Sequence, residues 1–459
     1  MPEEMEKNLI NIQNRSITEG PILRSVISLA APVAIGMFME FALSTTDYFW
    51  VGKLGPTAQD SITSSLIVIW TIMAITAIVS VGLTALISRY VGSGDFEKVV
   101  YFIKQGFTLA IIIGVLAGIV GSFLASDILG FMKAGAETIR HGTPYLRIFF
   151  AAVILLFLME TSYAIFRASG DTKTPTKVGI TVVLINMVLD PVLIFGAGPI
   201  PAMGVAGASL ATAIAFLTGT LLLIRLIHKG KLGYKLPNWR TVSTSLTGML
   251  KIVKIGLPMS SHQLIFMIVY WFLIMIVHSY GENAGAAMGI GNRMESFCYL
   301  FGYGISLAAA TMVGQNLGAG KPDRAAKCAW YAVGLGIAVS AFVSIFFFVI
   351  PGQIVGIFSN DPHVVPMATD YLIILGLSQI TMTVEIILEG SFSGAGDTIP
   401  PMLVMVPGHL LRIPLAYYLC FTLDWGINGV WWTLTITTTI KAIILAFWFK
   451  RGKWKEKVI

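Results

Sequence analysis

Long apolar stretches dominate this chain and decide what it can fold into. A membrane-spanning helix needs about 20 largely apolar residues, because the bilayer core offers no water to pair with exposed backbone groups. Twelve such stretches can be read along the chain, six in each half. They lie near 24–52, 61–88, 103–125, 145–167, 176–197, 204–228, 252–280, 286–314, 328–351, 366–393, 400–422 and 427–449. We therefore predict an all-α membrane protein with twelve transmembrane helices.

A sequence duplication divides these spans into two sets of six. The segment FRASGDTKTP at 166–175 matches FSGAGDTIPP at 392–401, and the same offset along the chain separates Pro32 from Pro258. An even number of spans returns the chain to the side where it started, so both halves enter the membrane in the same sense. The duplication predicts two six-helix lobes related by a pseudo-twofold axis along the membrane normal.

Lysine and arginine concentrate in the loops on one side of the predicted membrane. This bias predicts cytoplasmic termini in a cell inner (plasma) membrane. The net charge of +7 then reflects topology and contact with anionic lipid, and we expect no nucleic-acid partner. The predicted segments are a cytoplasmic N-terminal segment (1–23), an N-lobe (24–228), a cytoplasmic linker (229–248), a C-lobe (249–450) and a cytoplasmic tail (451–459).

Enzyme motifs are missing from the sequence. It contains no Walker A motif, no HExxH and no nucleophile elbow, and its three cysteines lack metal-ligand spacing. We therefore predict that the chain is not an enzyme and has no cofactor beyond a coupling ion.

Acidic residues inside the predicted spans are the strongest functional signal. A carboxylate at the centre of a span costs about 2.5–3.5 kcal/mol and usually has a function. Asn186 and Asp190 are four positions apart and so share one helical face, and Pro191 predicts a kink because it cannot donate to the carbonyl of Met187. These oxygens suit an alkali cation, and the carboxylate could instead bind a proton. The alternative is that Asn186 and Asp190 only hydrogen-bond a neighbouring helix.

Several motifs resemble one family of transporters. They are TTDYFWVGKLGP at 45–56, NMVLDPVLIFG at 186–196, GVAGASLAT at 204–212 and GIGNRMESFCYLFGYGISLAAATMVGQNLGAGKPDRA at 289–325. In this order they resemble prokaryotic multidrug and toxic compound extrusion (MATE) transporters of the MOP flippase-like fold, and within them we expect the DinF-like branch. The resemblance implies alternating access, with export of cationic or amphipathic compounds driven by inward Na⁺ or H⁺.

The resemblance also implies an ion-coupling site in the N-lobe. Carried over residue by residue, the site consists of Asp47, Asn186, Asp190 and Thr212, which would be the metal ligands if the ion is Na⁺. Neutralisation of Asp47 and Asp190 would relax the helix at Pro191 and release the drug outward. The alternatives are that Asp47 is a water-exposed acid near the outer surface and that Thr212 bonds its own helix at the i−4 carbonyl.

Three further acids are candidate ion or substrate residues. Glu40 lies about two helical turns before Asp47 and departs from the uncharged amide of archaeal relatives, so it could carry a proton, anchor a cationic drug or pair with Arg147. Glu295 and Glu385 could be counter-charges for a cation, proton carriers or partners in salt bridges. Relatives that bind Na⁺ in the second lobe use two acids, and those positions are here Phe266 and Met382.

We predict an antiporter for small cationic or amphipathic molecules that works as a monomer among membrane lipids. The alternative is a flippase for lipid-linked precursors, because flippases of the same superfamily share this architecture. Such a flippase needs a cavity lined with arginine and lysine for the pyrophosphate, whereas the acids inside these spans favour a cationic cargo.

Overall fold

The computed structural model describes residues 17–132, 134–232, 234 and 242–459, and its regular secondary structure there is helical. The first half contains α1 (Ile22–Gly52), α2 (Pro56–Ser93), α3 (Phe96–Phe131), α4 (Ala136–Ala168), α5 (Lys173–Phe195) and α6 (Val205–His228). The second half contains α7 (Leu246–His278), α8 (Glu282–Gly318), α9 (Pro322–Val349), α10 (Pro351–Gly356), α11 (Val364–Gly376), α12 (Gln379–Ala395), α13 (Ile399–Leu410), α14 (Arg412–Tyr417), a π-helix (Tyr418–Thr422) and α15 (Asn428–Lys450). Most of the predicted N-terminal segment (1–23) and part of the predicted linker (229–248) lie outside the described residues.

The predicted spans correspond to these helices. Among the described residues, eleven helical stretches are long and apolar enough to cross a membrane, and α11 with α12 makes a twelfth if the two are counted as one span. The all-helical fold with twelve spans is therefore confirmed. The direction of the axis that relates the two halves stays a prediction.

The tenth predicted span, 366–393, is bent and not continuous. Its two parts, α11 and α12, meet at an angle of 53°. The hydroxyl of Ser378 donates to the carbonyl oxygen of Leu375 at 3.1 Å and lies 3.3 Å from the hydroxyl of Thr435. A serine side chain that bonds a nearby backbone carbonyl competes with the helical pattern, which explains a bend at this point.

The eleventh predicted span, 400–422, is also interrupted. Helix α13 ends at Leu410, α14 begins at Arg412 and the chain continues as a π-helix. Pro414 has no amide proton for the carbonyl of Leu410, so the helical ladder lacks a bond across this point. The break places Arg412 at the start of a new helix.

The described chain forms two compact units whose boundaries fall inside α1 and α7. Unit 1 contains Ile35–Gly256, and unit 2 contains Ile17–Ala34 and Leu257–Ile459. Compared with the predicted lobes, 24–228 and 249–450, the starts of α1 and α7 are exchanged between the units, and the lobe boundaries stay a prediction. The exchange occurs close to the two equivalent prolines, Pro32 and Pro258, that lie inside these helices.

Small residues allow the exchanged segments to approach their partner helices closely. In unit 1, a Cβ atom at Gly256 would lie 1.9 Å from the carbonyl oxygen of Ile78 in α2. In unit 2, a Cβ atom at Gly304 of α8 would lie 3.3 Å from the carbonyl oxygen of Ala30 in α1. At the offset of the duplication, Gly256 corresponds to Ala30 and Ile78 corresponds to Gly304. The glycine therefore lies on α7 in one pair and on α8 in the other. The same packing therefore occurs once in each unit.

Candidate ion-coupling site

Unit 1 brings the four predicted ion-coupling residues together. Helix α1 supplies Asp47, α5 supplies Asn186 and Asp190, and α6 supplies Thr212. Asp190 and Asn186 are fully buried, whereas Asp47 and Thr212 are partly exposed. The i, i+4 spacing in α5 points the side chains of Asn186 and Asp190 in one direction, as predicted. The role of the group in ion binding stays a prediction.

The amide of Asn186 connects the two carboxylates to α6. With its oxygen towards Thr212, the amide nitrogen donates to Asp190 Oδ2 at 3.1 Å and to Asp47 Oδ1 at 3.2 Å. This orientation is assigned from the hydrogen-bond partners, because the opposite one would point the amide oxygen at two carboxyl groups. Asn186 is then a hydrogen-bond donor to both acids, and it would have to turn over to offer its oxygen to Na⁺.

The hydroxyl of Thr212 has two acceptors for one proton. Its Oγ1 atom lies 3.0 Å from the Asn186 amide oxygen and 3.1 Å from the carbonyl oxygen of Ala208. The predicted alternative, a bond to the i−4 carbonyl of its own helix, is therefore present beside the contact with Asn186. Thr212 lies behind the amide as a support for its orientation.

The two carboxyl groups lie close together, because both accept from the same amide nitrogen of Asn186. Two neighbouring carboxylates repel each other when both are charged, and a proton or cation bound between them would relieve that repulsion. The other oxygen of Asp190, Oδ1, is buried and has no hydrogen-bond partner among the described residues. Because buried polar atoms are normally paired, a proton or cation bound at this oxygen would stabilise the site most. Pro191 lies inside α5, which continues to Phe195, and the predicted kink stays a prediction.

Tyr145 is a member of this site that the residue patterns did not single out. It is buried in α4 and interacts electrostatically with both Asp47 and Asp190, while its backbone carbonyl accepts a 2.8 Å hydrogen bond from Ser209. One signal was available in the sequence. Tyr145 faces Tyr371 at the offset of the duplication, so both halves carry a tyrosine at this position.

Glu40 belongs to a second acidic group in unit 1. Its electrostatic partners are Glu160 and Arg167 of α4, and Arg167 Nη2 lies 3.9 Å from Glu160 Oε2. Glu40 is exposed, whereas Glu160 and Arg167 are mostly covered. Arg147, the predicted alternative partner, does not contact Glu40 within the described residues. Glu40 is therefore an accessible acid beside an internal ion pair.

Glu295 and Glu385 belong to unit 2. Glu385 Oε1 forms a 2.8 Å salt bridge with Lys441, and both residues are buried. Glu295 accepts a 3.4 Å hydrogen bond from the hydroxyl of Tyr371. Glu385 is thus already paired, and the transport role predicted for either acid stays a prediction.

Comparisons with known proteins point in one direction. A family model described as MatE matches residues 32–192 and 258–418, two ranges that are related by the offset of the duplication. The chain is 25% identical over 446 residues to a probable multidrug resistance protein NorM of Thermotoga maritima, covering 95% of this chain and 94% of that protein. It is 24% identical to a FAD transporter of Shewanella oneidensis, covering 93% and 94% of the two chains. A crystal structure of MATE in the straight conformation matches with a TM-score of 0.89 at 22% identity, covering 96% of this chain and 99% of that one.

Proposed function

Because the chain belongs to the MATE family of multidrug efflux transporters, we propose that it exports cationic or amphipathic compounds in exchange for protons. Membership in this family also means that the chain is a multi-pass membrane transporter and not an enzyme, as predicted. The observation that carries the proposal is the group of Asp47, Asn186 and Asp190, in which a buried carboxylate oxygen has no partner among the described residues.

The transporter exchanges the drug for a proton if the proton and the drug cation cannot be bound at the same time. Without the proton, Asp47 and Asp190 carry negative charge that favours a cation nearby, and protonation removes that attraction. A ligand shifts the equilibrium between inward-open and outward-open states only by the difference between its affinities for them. We therefore propose that the protonated pair favours the outward-open state, from which the drug leaves, and that loss of the proton inside resets the cycle.

Two contacts favour a proton over Na⁺ as the coupling ion. Asn186 presents its amide nitrogen, and not its oxygen, to both Asp47 and Asp190, and a proton on one carboxyl group relieves the repulsion between the two. An alkali cation needs several oxygen ligands at once, which here would require the amide to turn and the carboxyl groups to separate. A proton needs neither change.

The coupling ion can be identified in proteoliposomes loaded with a cationic dye. We expect an imposed pH gradient, with no Na⁺ present, to drive dye efflux that a protonophore stops. We expect a Na⁺ gradient at equal pH to drive none, because the site holds a proton without rearrangement. Dye fluorescence against time measures both rates.

The other outcomes of this experiment are informative. Efflux driven by a Na⁺ gradient at clamped pH would show that the coupling ion is Na⁺ and not the proton. Efflux that neither gradient drives would contradict the proposed exchange. A parallel assay with FAD, the substrate named for one relative, tests an anionic cargo. FAD transport in place of dye transport would overturn the cationic substrate class.

We further propose that Glu40 attracts the cationic part of the drug, since it is the accessible acid of its group. Glu40→Gln should raise the KM for a monovalent cationic dye about fivefold, because one charge near water is worth about 1 kcal/mol. The KM of a neutral amphipathic compound should not change. The matched control is Glu137→Gln, which alters an exposed acid at the start of α4. Equal KM values for Glu40→Gln and the control would contradict this role.

The remaining proposals concern the surroundings of the transporter. We propose that it works as a monomer in the inner membrane with both termini in the cytoplasm and with lipids around its helices. The flippase alternative has no support from the site, where the groups facing the Asn186 amide are acidic and not basic.

A further inference from the structure

Unit 2 contains a buried polar group at the place that is equivalent to the ion-coupling site of unit 1. At the offset of the duplication, the equivalents of Tyr145, Asn186 and Thr212 are Tyr371, Arg412 and Thr438. The equivalents of Asp47 and Asp190 are the apolar residues Leu273 and Ala416. The second half thus has neither carboxylate of the site and carries an arginine in place of the asparagine.

The two equivalent positions make the same contact in both units. In unit 1, the side chain of Asn186 lies 3.0 Å from Thr212 Oγ1. In unit 2, Arg412 Nη2 donates to Thr438 Oγ1 at 3.0 Å, and Arg412 Nε donates to Thr437 Oγ1 at 3.0 Å. Arg412 is only 6% exposed. Both halves therefore share the helix-to-helix contact, with a neutral amide in one and a permanent positive charge in the other.

The charge of Arg412 is balanced by acids that come from other helices. Arg412 interacts electrostatically with Glu295 of α8 and Glu385 of α12. Glu385 already has a close cation, because Lys441 of α15 lies 2.8 Å from its Oε1 atom. Glu295 has no such ion pair among the described residues, and its hydrogen bond comes from the hydroxyl of Tyr371. Arg412 is the cation that interacts electrostatically with Glu295 among the described residues.

Three other titratable groups lie beside this network, and one of them, His409, interacts electrostatically with Lys441 and Arg412. His262 Nε2 lies 2.8 Å from Glu389 Oε1, and the ring of His262 stacks on that of His409 at 6.2 Å between centroids. Arg412 itself lies over the ring of Phe266, 5.8 Å from its centroid. The guanidinium thus sits between an aromatic face and two threonine hydroxyls, which is a built site for a planar cation.

We propose that the guanidinium of Arg412 is an internal, non-exchangeable cation that fills, in unit 2, the site equivalent to the ion-coupling site of unit 1. Unit 2 then keeps the electrostatic state of an occupied site throughout the cycle, and only unit 1 binds and releases an ion. Only the statement about unit 1 rests on the proposed function. The site in unit 2 is defined by Arg412 and its own contacts, and its ligand class is a planar monovalent cation.

Removing the arginine side chain should open this site to an external cation. Arg412→Ala leaves the half-buried Glu295 without its cation, so we expect a lower melting temperature of the purified protein. Millimolar guanidinium should raise the melting temperature of this variant by at least about 2 °C, whereas urea, which is similar in shape but neutral, should not. The wild-type protein should show no rise with either compound. In proteoliposomes, guanidinium should increase dye efflux by the variant about tenfold.

A matched control and a second variant keep this experiment decisive. Arg293→Ala removes an exposed arginine of α8 and should show no rise with guanidinium. If Arg412→Ala does not fold, the double variant Arg412→Ala with Glu295→Gln should fold without guanidinium, because the unpaired acid is also removed. Equal effects of guanidinium and urea, or failure of both variants to fold, would overturn the proposal. The melting temperature does not depend on transport, so a failure of the proposed function would appear only in the efflux assay.

Discussion

Replacing Asp190 with asparagine should reduce gradient-driven dye efflux to the leakage rate of protein-free liposomes. The asparagine has nearly the same size and keeps an oxygen that can accept from the Asn186 amide. It cannot bind and release a proton, and it cannot hold the negative charge that attracts a cation. The measurement is dye efflux under an imposed pH gradient, with monodispersity in detergent as the check that the variant has folded.

The control for this variant is Asp127→Asn in α3, which alters a carboxyl group of the same unit outside the site. Efflux by the control should match that of the unsubstituted protein. Asp47→Asn should behave as Asp190→Asn does, because the two carboxyl groups accept from the same Asn186 amide. If Asp190→Asn retained full efflux, the site in unit 1 could not be the ion switch.

Gly256→Ala should lower the free energy of unfolding by roughly 3 kcal/mol, or prevent accumulation of the folded protein. The new Cβ atom would lie 1.9 Å from the carbonyl oxygen of Ile78. That oxygen belongs to the backbone of α2, which cannot move aside as a flexible side chain could. The start of α7 would therefore be pushed away from α2. The melting temperature of the protein in detergent and the yield of monodisperse material measure this effect.

Gly334→Ala is the matched control, because it is the same substitution in the helical interior of α9, where a Cβ atom meets nothing within 4 Å. We expect no loss of stability and a gain of up to about 1 kcal/mol from the better helix propensity of alanine. Similar melting temperatures for Gly256→Ala and Gly334→Ala would show that the close approach of α7 to α2 does not matter for folding.

The sequence predicted the helices well, because an apolar run long enough to cross a bilayer has few alternatives to a helix. It predicted the partners in the site less completely. Asn186 and Asp190 share a face through their spacing alone, whereas the places of Asp47 and Thr212 came from the family resemblance. Tyr145 was missed because an aromatic residue within a span gives no signal when one half is read without the other.

The features that could not be predicted from the sequence depend on contacts between helices. Hydropathy treats 366–393 as one span, and the bend follows from where Ser378 finds its partners. Glu40 and Asp47 share a helix face by spacing, yet Glu40 interacts with Glu160 and Arg167 of another helix. Which helix lies alongside an acid decides its chemistry, and periodicity within one span does not contain that information.

The crossing of α1 and α7 between the two units constrains the order in which a newly made chain can assemble. Ile17–Ala34 is synthesised long before its partner helix α8, which begins only at Glu282. Unit 1 in turn lacks the start of α7 until Gly256 has been made. Neither half can therefore complete its packing as an independent product. A chain cut between α6 and α7 would yield two fragments that each lack a helix segment of their own unit and carry one that belongs to the other, so assembly of the pair becomes a condition for stability of either fragment.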